Sequence, residues 1–113
     1  ILLGTYQALT AADLQHVDAE KVLQWTSEHS PVPLFGFWDF AIGRQAAAGG
    51  MVLSGFEHGA AAGKMARSLL QLPQANMPIQ LSSPGHLVFS RAKVAHWQLN
   101  IPPSLQKRIS WQP

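Results

Sequence analysis

Apolar residues fall along this chain in two rhythms. Short apolar runs bounded by Gly, Pro and Ser alternate with longer segments in which apolar residues return every three or four positions. Ile1 to Gly4 reads as a short buried strand, and Thr5-Tyr6-Gln7 follows at its carboxyl end. The polar stretch from Thr10 to His16 reads as loop. Asp18 is suited to cap a helix, because its carboxylate accepts amide hydrogens that the first turn leaves unpaired. Val17 and Val22 flank it at the spacing of a hydrophobic staple. The pattern predicts a helix from about Ala19 to Glu28, with Val22, Leu23 and Trp25 or Thr26 turned to the core. Ser30-Pro31 ends it, since the residue before proline is pushed out of the helical region.

Val32 to Phe37 reads as a second strand, with Pro33 near its start because proline donates no ladder hydrogen bond. Trp38-Asp39-Phe40 sits at its carboxyl end. Ala41 to Ala48 predicts a short helix stopped by Gly49-Gly50, and Met51 to Leu53 a third strand broken by Ser54-Gly55. The clearest helix runs from Glu57 to about Leu72, where Ala62, Met65, Ala66, Leu69 and Leu70 recur at helical spacing, and Pro73 closes it. Met77 to Leu81 and Leu87 to Phe89 read as strands separated by the turn Ser82 to Gly85. Arg91 to Trp97 reads as a short helix, Ile101-Pro102-Pro103 as a rigid connector, and Arg108 to Trp111 as a last strand. Strands alternating with helices indicate βαβ units, hence an α/β fold built on a parallel sheet.

Composition narrows the picture. The chain has 113 residues, one domain's worth or part of a larger domain. Only 12% of its residues are charged, about half the ~25% of a typical soluble domain, so further chain or a partner is expected to cover some of its surface. Cysteine is absent, which excludes disulfides, thiolate zinc sites and a cysteine nucleophile. The net charge is +2, and the basic residues are scattered, so no face offers the cation cluster that nucleic acid or anionic lipid favours. The stretch from Ser68 to Ser90 lacks Asp, Glu, Lys and Arg but holds Pro73, Pro78 and Pro84, so it does not read as a bilayer-spanning helix. The chain opens at Ile1 inside an apolar run, which we take as the mark of a portion cut from a longer protein.

Most candidate chemistry dissolves on inspection. The five histidines, His16, His29, His58, His86 and His96, do not pair at metal-ligand spacing, and Glu57-His58 lacks the rest of a His-Glu-x-x-His pattern. Ser54 lacks the glycines of a nucleophile elbow, since Val52 and Phe56 occupy those positions. Gly59 and Gly63 form no phosphate loop and read as a packing face that lets the helix approach a neighbour. Gly36-Phe37-Trp38-Asp39-Phe40 is different. Three aromatics and a carboxylate gather where a parallel strand ends, and ligands of open α/β sheets bind outside the carboxyl ends of the strands. Aromatic rings supply contact area and a carboxylate holds an amine or hydroxyl. The structural alternative buries Phe37 and Phe40 and uses Asp39 as a helix cap. Thr5, Tyr6 and Gln7 sit at the matching end of the first strand.

The order Pro31-Val-Pro-Leu-Phe-Gly-Phe-Trp-Asp-Phe, Gly49-Gly50-Met-Val-Leu-Ser-Gly-Phe-Glu-His-Gly, Ala60 to Leu70, Met77-Pro78-Ile79 and Val94-Ala-His-Trp-Gln-Leu-Asn-Ile-Pro resembles the C-terminal part of tryptophan-binding-type substrate-binding proteins of ABC transporters. The resemblance implies a type I periplasmic-binding-protein fold, two flavodoxin-like α/β lobes closing on a ligand, of which this chain is the last part. It places second-lobe strands over about 1–53, a hinge crossover at Ser54 and Gly55, a helix returning to the first lobe over about 57–72, and a closing segment over 77–113. It puts Thr5, Tyr6 and Gln7 on one ligand-contacting turn, and Trp38 and Asp39 on the next, with Phe40 beside them. Bulky Phe37-Trp38 and the ending Ile109-Ser-Trp-Gln-Pro look more like the branch fused to membrane histidine kinases or diguanylate cyclases.

The expectation is therefore an extracytoplasmic, periplasmic-type solute-binding or sensor domain without catalysis and without a cofactor or metal. Its partners would be a small organic ligand, such as an amino acid or aromatic metabolite, and an ABC permease or fused membrane signalling module, with no nucleic acid. Unpaired strand edges and an apolar lobe face also lead us to expect self-association, as a homodimer or by swapping. Two rival readings are a small α/β hydrolase-like enzyme, with Asp39 or His58 essential, and a structural oligomerisation module.

Overall fold

The computed structural model describes residues 1–72, 78–79 and 85–113. One five-stranded sheet organises the chain. Its strands are β1 (Leu2–Leu3), β2 (Phe35–Gly36), β3 (Gly49–Val52), β4 (His86–Ser90) and β5 (Ile109–Gln112), lying side by side in that order. β1, β2 and β3 run parallel, β4 pairs antiparallel with β3, and β5 pairs parallel with β4. The helices are α1 (Ala19–His29), α2 (Gly55–Gln71), α3 (Arg91–His96) and α4 (Pro103–Gln106), with a single 3-10 turn at Asp39–Ala41. The fold is thus a mostly parallel α/β sheet. Among the described residues no helix is long and apolar enough to cross a membrane.

α1 begins where its cap dictates. An Asp18 carboxylate oxygen accepts the Lys21 amide hydrogen at 3.0 Å, and the Ser30 N–H closes the other end on Thr26. The buried face is Leu23 and Ser27, with Ala19 and Val22 packed beside them. Trp25 does not join it. It lies 62% exposed and stacks on His29 one turn later, so of the two residues expected as alternatives on the inward face, Trp25 or Thr26, the half-buried one is Thr26. Trp25 sits well around the helix from the stripe through Ala19, Leu23 and Ser27, so it cannot share that stripe's face.

Two small clusters make the core. Leu34, Ile42, Ala47, Val52 and Val88 form one, and Tyr6, Leu23 and Ala41 the other. Leu3 packs against both. Ser27 Oγ donates to the Ala46 carbonyl at 2.9 Å and accepts from Lys93 Nζ at 2.6 Å, which ties α1, the segment before β3 and α3 together. Ser90, fully buried, accepts from the Lys93 amide to cap α3 and donates to the Pro113 carbonyl, fixing the end of β5.

The segment from Ala41 to Ala48 is not the expected helix. After the 3-10 turn, Ile42 bridges Ala47 in extended pairing and the chain folds through Gly43. Burying Ile42 and Ala47 against the sheet outweighs the modest helix preference of the alanines. Gly49 and Gly50 likewise do not stop an element but open β3. A Cβ at Gly49 would overlap the Phe89 ring, and one at Gly50 would overlap the Gly36 carbonyl oxygen. β3 carries one extra residue here: Phe35 pairs with Gly49, whereas Trp38, three residues on, bridges Leu53, four residues on. The extra residue is a bulge, which glycine accommodates.

α2 stands away from this core. None of its 17 residues is buried, Phe56 and Leu70 are strongly exposed, and a Cβ at Gly55, Gly59 or Gly63 would meet no neighbouring atom. The expectation that Gly59 and Gly63 let the helix approach a neighbour is therefore corrected, since no described element lies against them. Its first turn is tied to β4 by His86 Nε2, which lies 2.9 and 3.0 Å from the two Glu57 carboxylate oxygens. Pro103, read as part of a rigid connector, instead opens α4 from its first position, where its missing N–H costs nothing. The strand expected at Met77 to Leu81, and the turn after it, fall mostly outside the described residues. Pro78 and Ile79 are described there and belong to no strand.

The contact at Gly50 yields a test. Gly50→Ala forces the β2 backbone away from β3, and chemical denaturation should show a loss of more than about 2 kcal/mol of stability. An unchanged unfolding midpoint would show that β2 and β3 do not approach this closely.

Candidate functional site

β1 and β2 are each two residues long, and both release the chain at the same end because they run parallel. Past that end lie Tyr6 and Gln7 on one connection and Trp38 to Phe40 on the next. α1 begins nearby, because its first residues belong to the connection that returns from β1 to β2. The three pieces enclose an open cleft of about 450 Å³. Tyr6, Gln7, Phe40 and Gln45 face Glu20, Leu23 and Gln24 of α1 across it.

Local hydrogen bonds hold the Tyr6-Gln7 turn. The Tyr6 N–H donates to Gln7 Oε1 at 3.0 Å, and the His16 ring Nε2–H donates to the Gln7 carbonyl at 2.8 Å. Thr10 bridges His16, and the Val17 N–H donates to the Leu9 carbonyl, so the loop folds back on itself before α1. Tyr6 is buried among Leu23 and Ala41 yet lines the cleft with part of its surface. Burial pushes its phenol above the ordinary value of 10.0, because the apolar surroundings disfavour the phenolate.

The aromatics after β2 divide their tasks. Trp38 is half-buried against Tyr6, Leu23 and Ala41. Its ring lies 6.1 Å from that of Phe40, with the planes only 9° apart. Phe40, 61% exposed, lines the cleft, and Trp38 does not. Asp39 lies in the 3-10 turn, where Oδ1 accepts the Phe40 N–H at 2.9 Å and its own carbonyl accepts the Ile42 N–H. It shapes the turn that presents Phe40 and does not itself line the cleft.

Of the expected ligand contacts, Tyr6, Gln7 and Phe40 therefore share one cleft wall. Thr5 is exposed and lies outside it, and Trp38 and Asp39, also expected as ligand contacts, do not line it. Ser54 and Gly55 lie elsewhere, at the joint between β3 and α2, where Ser54 Oγ accepts the Glu57 N–H as the helix cap. Sequence reasoning missed Glu20, Gln24 and Gln45. The signal for the first two was present, since Glu20 and Gln24 are four apart on the first turns of a helix that follows a parallel strand and so lie on one side of it.

No family model, curated protein or solved structure matches the chain. The chemistry of the cleft must therefore be argued from its own residues. It offers an aromatic floor, amide side chains and one carboxylate in a concave site with no nucleophile paired to a base.

The chain has a single tyrosine, so tyrosinate absorbance reports Tyr6 alone. A spectrophotometric titration of the folded chain should place its midpoint above 10.0. The linked stability is whole below pH about 10 and is lost as pH rises through the raised value. A midpoint at or below that of the denatured chain would contradict the burial of Tyr6.

Proposed function

We propose that this chain is the C-terminal portion of a two-lobe solute-binding domain of the tryptophan-binding ABC-transporter type, which captures a small organic molecule outside the cytoplasm. The observation that carries the reading is the cleft at the carboxyl ends of β1 and β2, floored by Tyr6 and Phe40 and edged by Gln7. Parallel α/β sheets place their ligands there, and a mostly apolar concavity with a few polar groups is the usual form of a small-molecule site.

Capture proceeds by closure of one lobe on the other. The ligand contacts both walls only in the closed state, so it stabilises that state by the difference in contacts. The Ser54-Gly55 joint is the place for the bending, because the chain there passes from β3 into a helix that is not buried against the sheet. The captured solute is delivered to a permease or reported to a fused membrane signalling module. No catalytic step is part of this reading.

The test is a thermal-shift screen of the chain against amino acids and small aromatic metabolites. At least one compound should raise the midpoint in a saturable way, and Phe40→Ala should abolish that rise while leaving the unliganded midpoint nearly unchanged, since Phe40 is exposed. A screen in which nothing raises the midpoint, or a rise that Phe40→Ala leaves intact, would defeat the reading.

A further inference from the structure

Resting on the reading of the cleft as a solute site, we propose that it selects organic cations, molecules that join a flat apolar body to a protonated amine, over carboxylates of the same shape. The charge of the lining is the first argument. Glu20 is the cleft's ionised side chain, and no Lys, Arg or His is among the lining residues. An anionic ligand would meet this carboxylate without a cationic partner among the lining residues, whereas a cation is attracted to it.

Hydrogen-bonding capacity points the same way. Gln24 Nε2 donates one of its two hydrogens to Glu28 Oε1 at 2.9 Å, which leaves its carbonyl oxygen and a second N–H for a ligand. Together with Glu20, one turn before it, that oxygen makes the α1 wall a pair of acceptors suited to the three N–H donors of an ammonium group. On the facing wall Gln7 Oε1 is engaged by the Tyr6 N–H, leaving the Gln7 amide hydrogens for a polar substituent on the ligand body. The start of α1, which would otherwise attract an anion, is already occupied by the Asp18 carboxylate. Tyr6 and Phe40, which line the cleft, add contact area for an apolar ligand body.

The size of the effect follows from the setting. Glu20 is exposed, so its ion pair with an amine is worth a factor of about three to five in affinity at low salt, and salt should reduce it. The experiment compares phenethylamine, 2-phenylethanol and phenylacetate, which share one body, by calorimetric titration of the chain at low and physiological ionic strength. The amine should bind about three- to fivefold more tightly than the alcohol at low salt, and the acid most weakly. Glu20→Gln should remove the amine's advantage over the alcohol. Asp13→Asn, which makes the same change in net charge in the loop before α1, should leave the advantage intact.

Phenylacetate binding as tightly as phenethylamine, or equal effects of the Glu20 and Asp13 substitutions, would overturn the selectivity for cations while the solute-site reading stands. Absence of binding by all three, with the thermal-shift screen also empty, would overturn the site itself and this proposal with it.

Discussion

The arrangement rests on one close approach of two backbones. Gly50 of β3 lies so near the Gly36 carbonyl of β2 that no side chain fits between them. β2 has only two residues, so its place in the sheet depends on what its neighbours permit. On one side it pairs with β1, also two residues long. On the other it is held by Leu34 and Phe37, whose carbonyls accept the Ala48 and Leu53 amide hydrogens at 2.8 Å. Glycine at positions 49 and 50 is what lets these short strands lie flush with each other and with the Phe89 ring. Both cleft-bearing connections spring from this pair of strands, so the geometry of the site inherits the precision of the β2–β3 contact.

A second set of constraints turns that sheet end into a concavity. The Tyr6-Gln7 turn is pinned by its own side chain and by His16. The Phe40 turn is pinned by Asp39, and the Trp38 ring lies nearly parallel to that of Phe40. α1 is fastened at its far end through Ser27 to Ala46 and Lys93, so its first turns are free to form the opposite wall. The cleft is thus preorganised by backbone and local side-chain hydrogen bonds, and the groups left for a ligand are those the fold does not use. Preorganisation of this kind lowers the entropic cost of binding.

Local rules were legible in the sequence, and long-range ones were not. Asp18 announces α1 because its capping bond spans three residues, and Ser30-Pro31 ends it for an equally local reason. The alternation of strands and helices gave the mostly parallel sheet. The stretch from Ala41 to Ala48 reads as a helix, yet its conformation is decided by burial of Ile42 and Ala47 and by the Ser27 hydroxyl, contacts that no window of the sequence contains. Gly49-Gly50 looked like a terminator because glycine usually punctuates. Here it marks a place where neighbours lie too close for a Cβ. The pattern leaves Trp25 and Thr26 as alternatives for the inward face of α1, and hydrophobicity alone does not show that the helix turns Trp25 to water. At the cleft, Tyr6, Gln7 and Phe40 were visible because strand ends in parallel sheets collect ligands. The second wall was missed because the tilt of α1 depends on tertiary contacts.

The most direct measurement of the central claim is a heteronuclear NMR titration of the chain with phenethylamine, read residue by residue at the backbone amides. Capture at the strand ends predicts saturable shifts that cluster at Tyr6, Gln7, Glu20, Phe40 and Gln45 and share one dissociation constant. Shifts that never saturate, or that gather on α2 and leave those five amides unmoved, would contradict it.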